Sequence, residues 1–156
     1  KTPVDTLISD MAPNMSGEYD LDHARSVHLA RQAFELATDL LDAGGDLAVK
    51  VFDGRDLDTL EAEIGREFEY VRQLRPDASR DSSSELYLVA KNRLTGPVRP
   101  GDELTVEIEG VGDEGDGIAK VEGFTLFVPG TSEGETVDIV VDDVKPRFGF
   151  AEPIEQ

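Results

Sequence analysis

Residues 47–75, LAVKVFDGRDLDTLEAEIGREFEYVRQLR, contain the pattern that decides the fold of the first half of this chain. The run LAVKVF (47–52) is apolar except for one central lysine, which is typical of a buried strand. DGRD then forms a turn, and a helix over about residues 56–68 is predicted from apolar residues at helical spacing: Leu57, Leu60, Ile64 and Phe68. YVRQLR (70–75) is predicted to be the next strand, and this alternation indicates an α/β sheet.

The flanking segments extend this alternation in both directions. Residues 4–12 begin as a strand and lead into the loop PNMSGEYD, and Asp20 is expected to cap a helix that runs to Leu41 and closes at Gly44 and Gly45. After the loop PDASRDSSS, which is rich in Ser, Asp and Pro, ELYLVAKN (85–92) is predicted to be the last strand. The first half therefore has the order of a sheet whose faces are covered by helices.

The composition changes at about Leu94, which predicts two domains, residues 1–94 and residues 95–156. TGPVRPGD is typical of a linker, and no helical period follows it. Five short strands separated by glycine-containing turns are predicted at residues 102–109, 117–122, 124–130, 135–141 and 147–153. Strands of this length and spacing indicate a small all-β barrel.

The charge is the unusual feature of the composition. Fifteen Lys and Arg stand against 34 Asp and Glu, a formal net charge of −19 over 156 residues. The acids are interleaved with regularly spaced apolar residues, which argues against disorder. We therefore interpret the acid excess as an adaptation to a cytoplasm of very high salt, where a Debye length of about 3 Å at 1 M removes the self-repulsion. Composition alone argues against a nucleic-acid partner, because a basic footprint is missing.

Several kinds of protein and site are excluded or disfavoured. The sequence has no cysteine, which excludes disulfides and cysteine-based zinc sites. His23 and His28 are five residues apart on a predicted helix and do not share a face, so both are expected at the surface and no metal site is expected. The sequence has neither an apolar run of membrane-spanning length nor a signal-peptide pattern, so a soluble, cytoplasmic protein is expected.

Three residues of the first half are candidates for chemistry. Asp10 follows the first strand within SDMAPNMSG (9–17), at the edge where open α/β sheets bind ligands, although it could equally cap the loop. Lys50 lies inside an apolar strand, where it is either paired and desolvated, as a general base requires, or directed to water. Glu85 opens the last strand, and taken alone it is an ordinary strand residue.

Together these segments carry a resemblance. SDMAPNMSG, VKVFDG and RPDASRDSSSELYLVA, in this order and spacing, closely resemble the FtsJ family of S-adenosylmethionine-dependent RNA 2′-O-methyltransferases over about residues 3–93. The resemblance implies the C-terminal part of a Rossmann-like methyltransferase sheet and a Lys-Asp-Lys-Glu tetrad. It implies that Asp10, Lys50 and Glu85 are catalytic, and that Asp10 also contacts S-adenosylmethionine. Lys50 would then act on the ribose hydroxyl either as a base or as a cation, and both alternatives stay open.

Three features of that family have no counterpart in this sequence. They are a glycine-rich turn for the methionine end of the cofactor, an acid for the cofactor ribose, and the first lysine of the tetrad, and in the family all three precede the aspartate motif. Since Lys1 lies only nine residues before Asp10, we expect the chain to be truncated at its N-terminus and inactive alone, without measurable S-adenosylmethionine binding.

The second half resembles a TRAM domain, a small β-barrel similar to OB-folds, over about residues 97–153 through GDGIA and FVPGTSEGE. The resemblance implies RNA binding. Bases would stack on phenylalanines, of which at least two of the four present should belong to the core, and phosphates would contact basic residues. The candidates are Phe124, Phe127, Phe148, Phe150, Lys120, Lys145 and Arg147. This half carries four basic and 15 acidic residues, so it will not attract RNA over long distances.

The resemblance therefore implies an enzyme that methylates the 2′-oxygen of a ribose in RNA, with a uridine of large-subunit (23S) rRNA as the expected target. The expected cofactor is S-adenosylmethionine without a metal, and the expected partners are rRNA and the large ribosomal subunit, with neither DNA nor membrane. Two alternatives stay open. One is an RNA-binding or ribosome-associated module with an inactive methyltransferase part, and the other is methylation of tRNA.

Overall fold

The computed structural model describes residues 4–76 and 84–154. The chain divides into two compact units, Lys1–Arg93 and Leu94–Gln156, and each has a hydrophobic core of its own. Most of the loop predicted from the segment PDASRDSSS lies outside the described residues. The fold class expected from the sequence, an α/β unit followed by a β-rich unit, is confirmed.

The first unit is a four-stranded mixed sheet with two helices. Its elements are β1 (Val4–Ser9), α1 (Tyr19–Leu40), β2 (Leu41–Phe52), α2 (Leu57–Gly65), β3 (Phe68–Leu74) and β4 (Glu85–Arg93). The strand order is β1-β2-β4-β3, with β1 parallel to β2 and the other pairs antiparallel. The long strand β2 is therefore central, and it positions residues between β1 and β4.

The two faces of this sheet differ. In β2, Leu47, Val49 and Val51 are almost fully buried, because α1 packs on their side of the sheet through its small residues. Those small residues are Ala30, Ala33 and Ala37. Helix α2 contacts α1 and joins the same core. Since side chains alternate along a strand, Lys50 projects from the opposite face, which neither helix covers in the described part of the chain.

The structure corrects several predicted boundaries in this unit. Helix α1 begins at Tyr19, so Asp20 lies in its first turn and is not its cap. Helix α2 ends at Gly65, and Phe68 begins β3 instead of belonging to the helix.

Helix α1 ends at Leu40 and β2 begins at once, so Gly44 and Gly45 lie within a strand and do not close the helix. Gly44 has a φ of +85°, and it lies where the pairing of β1 with β2 changes register. A glycine adopts this conformation without the steric cost of a side chain, so Gly44 accommodates a bulge.

The second unit is a six-stranded sheet that curls into a barrel. Its strands are β5 (Glu103–Glu107), β6 (Gly110–Val111), β7 (Gly117–Val121), β8 (Phe124–Val128), β9 (Thr136–Val144) and β10 (Phe148–Pro153). The order is β5-β9-β10-β8-β7-β6, and β10 with β8 is the parallel pair. The five predicted strands are present, and the two-residue strand β6 was not predicted.

The barrel closes because one segment pairs with both ends of the sheet. Strand β5 pairs with β9, and the chain then bends so that the Glu109 amide donates to the Ile118 carbonyl of β7 at 2.8 Å. Inward side chains from every strand except β6 fill the core, among them Ile108, Leu126 and Ile139. Side chains at alternate positions of β7, β8 and β10 face outward and are available for binding.

Candidate functional sites

The three candidate residues of the first unit lie together on the face of the sheet that the helices leave open. Lys50 Nζ lies 2.9 Å from Asp10 Oδ1 and 3.6 Å from Glu85 Oε1. The Lys50 side chain is only 16% exposed, whereas those of Asp10 and Glu85 are 65% and 44% exposed. Lys50 is therefore paired with both carboxylates, and most of its side chain is shielded from solvent.

Strand register explains why these residues meet. The parallel pairing of Ser9 with Val49 brings the end of β1, and hence Asp10, beside Lys50. On the other side, β4 runs antiparallel to β2, which pairs Lys50 with Tyr87 and Phe52 with Glu85. Residues distant in sequence thus converge at the carboxyl end of β2, the edge of the sheet where ligands of α/β proteins bind.

Tyr87 is a fourth member of this site, and the sequence analysis missed it. Its hydroxyl donates a 2.9 Å hydrogen bond to Asp10 Oδ1, the oxygen that Lys50 also contacts. A signal was present, because Tyr87 lies two residues after Glu85 and therefore shares its face of the strand. Asp10 is consequently held by two donors, a cation and a phenol.

Lys50, Asp10 and Tyr87 shift one another's pKa values. The hydrogen bond to Asp10 raises the pKa of Lys50 above its ordinary value, partial burial opposes the rise, and the carboxylate of Glu85 adds to it. Hydrogen bonds from Lys50 and Tyr87 lower the pKa of Asp10, and the bond to Asp10 raises the pKa of Tyr87. At neutral pH the site therefore holds an ammonium, a carboxylate and a neutral phenol.

The loop that carries Asp10 is anchored to helix α1 by Asp22. The Ser16 amide and hydroxyl both donate to Asp22 Oδ1, at 2.9 and 2.8 Å, and Asp22 is only 3% exposed. These hydrogen bonds lower the pKa of Asp22, so its carboxylate is ionised at neutral pH. The polar residues of SDMAPNMSG therefore fix the path of the loop after Asp10.

His23 anchors the other end of the site, which corrects its expected position at the surface. Only His28 is exposed, whereas His23 is 3% exposed. The Asp56 amide donates to His23 Nε2 at 3.1 Å, so Nδ1 carries the proton and donates to the Phe52 carbonyl at 2.8 Å. The ring thus ties α1 to Phe52 at the end of β2, two residues beyond Lys50, and to Asp56 at the start of α2.

An open, largely apolar groove of about 380 Å³ adjoins Asp10. It is lined by Leu7, Ile8, Ser9, Asp10, Met11, Gln32, Ala33 and Leu36. Ile8 and Met11 are 70% and 47% exposed there, unusually high values for residues of this type. The groove offers an apolar surface with one carboxylate at its rim.

In the barrel, three phenylalanines form an exposed aromatic cluster. Phe127, Phe148 and Phe150 have ring centroids 5.6 to 5.9 Å apart, and Phe148 and Phe150 are 37% and 38% exposed. Phe124 does not belong to this cluster, and it alone of the four phenylalanines is buried in the core, where at least two were expected. It is 8% exposed, in the barrel core, and is therefore unavailable for stacking.

Lys120 and Lys145, two of the basic residues singled out in this half, contact polar side chains. Lys120 Nζ donates to the Thr125 hydroxyl at 2.8 Å, and Lys145 Nζ lies 3.4 Å from Asp143 Oδ2. Arg147 is exposed and immediately precedes Phe148.

Within residues 4–76 and 84–154, no group of three or more His, Cys, Asp and Glu side chains has the geometry to hold a metal ion. Among the helices described, none is both long and apolar enough to cross a membrane.

Comparison with known proteins gives matches for both units. Residues 1–93 match the family described as FtsJ-like methyltransferase, and residues 97–154 match the TRAM domain. A crystal structure described as a putative ribosomal RNA methyltransferase from Plasmodium falciparum has a TM-score of 0.53 and 26% identity, covering 59% of this chain and 48% of its own.

Curated relatives span almost the whole chain. Proteins named "Ribosomal RNA large subunit methyltransferase E" are 74% identical over 153 residues in Haloarcula marismortui, 68% over 151 in Natronomonas pharaonis and 46% over 153 in Methanocella arvoryzae. These alignments cover 98%, 97% and 98% of this chain. The chain spans 58% to 60% of the length of these relatives.

Proposed function

The chain belongs to the FtsJ-like methyltransferase family and carries a TRAM domain, and from this membership we propose that the protein methylates the 2′-oxygen of a ribose in RNA. The proposed methyl donor is S-adenosylmethionine. The proposed target is a uridine of the large-subunit rRNA, because several relatives bear the name of a large-subunit rRNA methyltransferase. The reaction would take place on the large ribosomal subunit in the cytoplasm.

The observation that carries this proposal is the position of Lys50 between two carboxylates. Its ammonium is 2.9 Å from Asp10 and 3.6 Å from Glu85, on an open face of the sheet. A ribose hydroxyl is a weak nucleophile, and much of the rate comes from holding it in an attack geometry. A cation fixed from two sides can hold the hydroxyl oxygen in one place.

We propose that Lys50 acts as a cation and not as a general base. A general base at neutral pH would require a lowered lysine pKa, whereas the hydrogen bond to Asp10 raises it. A protonated Lys50 would donate a hydrogen bond to the 2′-oxygen and orient it toward the methyl group. As the new bond from oxygen to methyl forms and the bond from sulfur to methyl breaks, the hydroxyl proton would pass to the Glu85 carboxylate or to water, and the ammonium would stabilise the oxygen as this proton leaves. Asp10 and Glu85 would keep the ammonium in place, and Tyr87 would keep Asp10 in place.

The groove beside Asp10 is the proposed contact surface for part of S-adenosylmethionine. Its apolar lining, with Leu7, Ile8 and Met11, suits an uncharged portion of that molecule, and the Asp10 carboxylate suits a positively charged one. When bound, S-adenosylmethionine supplies an activated methyl group on a sulfonium. Asp10 would then have two roles, holding Lys50 and contacting the methyl donor.

The barrel is proposed to contact the RNA around its target. Phe127, with Phe148 and Phe150, would stack on unpaired bases. Lys120, Lys145 and Arg147 would contact phosphates nearby. Phe124 has no part in this proposal, because it is buried in the core.

The proposal is tested by mapping 2′-O-methylation of rRNA and tRNA by mass spectrometry. RNA would be taken from cells that lack the gene and from the same cells carrying the wild type or one variant. Lys50→Ala should reduce methylation at one rRNA uridine by at least about a hundredfold, the scale of losing one positioned electrostatic donor. Lys91→Ala is the matched control, because Lys91 is a strand lysine paired with Asp46 in the same sheet.

Each alternative predicts a different outcome. An inactive RNA-binding module predicts that deletion of the gene leaves every 2′-O-methyl group in place. A tRNA enzyme predicts loss from tRNA alone. Full methylation with Lys50→Ala would contradict the role of Lys50, even if deletion of the gene removed the modification.

A further inference from the structure

The barrel has a cavity of about 230 Å³ at one side of the aromatic cluster. It is lined by Gly112, Asp113, Glu114, Asp116, Phe127 and Phe150. The phenylalanines come from β8 and β10, and the acids come from the loop between β6 and β7. The cavity therefore combines aromatic walls with carboxylates, and its lining contains no lysine or arginine.

The aromatic side suits a flat ligand. The rings of Phe127 and Phe150 are 5.9 Å apart and inclined by 34°, and Phe148 meets both rings edge-on. The parallel pairing of β8 with β10 places Phe127 opposite Phe150 and sets this spacing. Exposed phenylalanines held in this way offer π-faces on which a planar group can stack.

The acidic side offers acceptors that the protein itself leaves unused. The loop is closed by two backbone hydrogen bonds, from Gly112 to Asp116 at 2.8 Å and from Gly115 to Gly112 at 2.9 Å. Over residues 4–76 and 84–154, the carboxylates of Asp113, Glu114 and Asp116 make no side-chain hydrogen bond or ion pair. They can therefore accept hydrogen bonds from a ligand without breaking existing contacts.

The donor pattern of the four RNA bases distinguishes which of them fits. A carboxylate presents two acceptor oxygens and no donor, so its best partner has two adjacent N–H groups. Guanine has this pair in N1–H and N2–H. Adenine and cytosine each place a ring acceptor beside their amino group, and uracil flanks its single N–H with two carbonyls. The Watson–Crick edges of these three bases thus offer a carboxylate one hydrogen bond, with an acceptor lone pair beside it, where guanine offers two.

We propose that this cavity binds an unpaired guanine of the RNA, stacked against Phe127 and Phe150 with its N1–H and N2–H edge toward the carboxylates of residues 113–116. The inference rests on the RNA binding proposed above and adds a base preference to it. The same carboxylates repel phosphates, so the RNA backbone runs outside the cavity, where Lys120, Lys145 and Arg147 lie. The barrel thus separates base recognition from backbone contact.

Binding of short oligoribonucleotides to the 156-residue chain tests this preference. Octamers of uridine with one central guanosine, adenosine, cytidine or inosine would be titrated in molar potassium chloride, which screens the repulsion between carboxylates and phosphates. The guanosine octamer should bind about tenfold more tightly than those with adenosine or cytidine, within the usual range for a bidentate base contact. Inosine lacks the 2-amino group but stacks similarly, so it should fall between them.

Two double variants locate the preference in the cavity. The double variant Asp113→Asn, Asp116→Asn replaces two carboxylates, each with two acceptor oxygens, by amides. It should abolish the discrimination between guanosine and adenosine. Glu103→Gln with Glu107→Gln removes the same charge from exposed positions on β5, outside the lining of the cavity, and should preserve the discrimination. Phe150→Ala should weaken binding of all four octamers, because it removes a stacking surface.

The possible failures are distinguishable. Equal binding of all four octamers would overturn the guanine preference and leave RNA binding by the barrel intact. A guanosine preference that survives replacement of all three carboxylates, with Glu114→Gln added to the Asp113 and Asp116 changes, would also overturn it. Failure of every octamer to bind would overturn RNA binding by the barrel together with the inference. An arginine-rich peptide that binds instead of RNA, and is sensitive to the same changes, would assign the cavity to a protein partner and overturn it as well.

Discussion

Substitution of Gly54 by alanine should destabilise the first unit through His23. A Cβ added at Gly54 would lie 2.5 Å from two atoms of the His23 ring and 2.6 Å from a third, which is far inside van der Waals contact. The ring cannot move aside freely, because it is buried and hydrogen-bonded through both nitrogens. Relief of the clash must therefore displace the ring or the backbone at the end of β2.

The expected magnitude follows from two terms. Overpacking of a filled core costs about 1–3 kcal/mol. Displacement of the ring also weakens hydrogen bonds to the Phe52 carbonyl and the Asp56 amide, each worth about 1 kcal/mol. Together they give a loss of about 2–4 kcal/mol, a large part of the typical stability of a small domain.

Urea denaturation followed by tyrosine fluorescence can measure this loss. The chain has no tryptophan, and its three tyrosines, Tyr19, Tyr70 and Tyr87, all lie in the first unit, so the signal does not report unfolding of the barrel. Gly65→Ala is the matched control. Its Cβ would be 3.8 Å from the nearest atom, in Val71, and its φ is not positive, so stability should be unchanged or slightly higher.

A double-mutant cycle identifies the cause. His23→Ala alone should destabilise the unit, because it leaves a cavity and two unpaired backbone groups. If the clash with the ring is responsible, the cost of Gly54→Ala should be much smaller in the His23→Ala background. Wild-type stability of Gly54→Ala, or strict additivity of the two changes, would refute this reasoning.

Two further predictions concern charge. The acid excess is interpreted as an adaptation to salt, which agrees with the haloarchaeal source of several relatives. The thermal unfolding midpoint should therefore rise from dilute buffer to molar potassium chloride. Equal midpoints in calorimetry would contradict this interpretation. In the folded protein the pKa of Asp10 is lowered from its ordinary value of 3.8 by its contact with Lys50. The ion pair therefore stabilises the fold at pH values above 3.8. This contribution to stability is lost as the pH falls through the lowered pKa. Wild type should therefore be more stable than Asp10→Asn at pH 7 and equally stable in strong acid, and a constant difference across urea titrations at several pH values would exclude this account.

The sequence predicted most of the elements but placed some boundaries wrongly. Periodicity identifies a helix when its buried stripe is regular, as in α1, and a strand when an apolar run is short, as in the second half of β2. Periodicity failed at the junction of α1 and β2. Two glycines usually end a helix, whereas Gly44 here forms a bulge inside β2. That bulge depends on pairing with β1, and pairing is not a local property of the sequence.

The site residues divide in a similar way. Asp10, Lys50 and Glu85 were predicted through resemblance to a family, and their proximity is a consequence of strand register. The burial of His23 was not predictable from helical spacing, because the turn after β2 and the start of α2 cover it.

The error at Phe124 was avoidable. Phe124 and Phe127 are three residues apart in one strand, so they must face opposite sides of the sheet, and they could not both bind RNA on one surface. Phe148 and Phe150 are two apart and share a face, as their exposure demonstrates. The alternation of side chains along the strand was therefore enough to predict that Phe124 and Phe127 do not share a binding surface. Only the choice of which face points inward required the structure.

The acid excess also constrains how this protein could recognise RNA. With a net charge of −19, the chain cannot attract a polyanion over long distances, and molar salt would weaken such attraction even for a basic protein. Stacking on aromatic rings and hydrogen bonding to base edges act at contact distance and are much less sensitive to salt. An exposed phenylalanine cluster beside unpaired carboxylates is a surface of this second kind. The acids that oppose binding to a phosphate backbone would then select the base, so the acidic surface and RNA recognition are compatible.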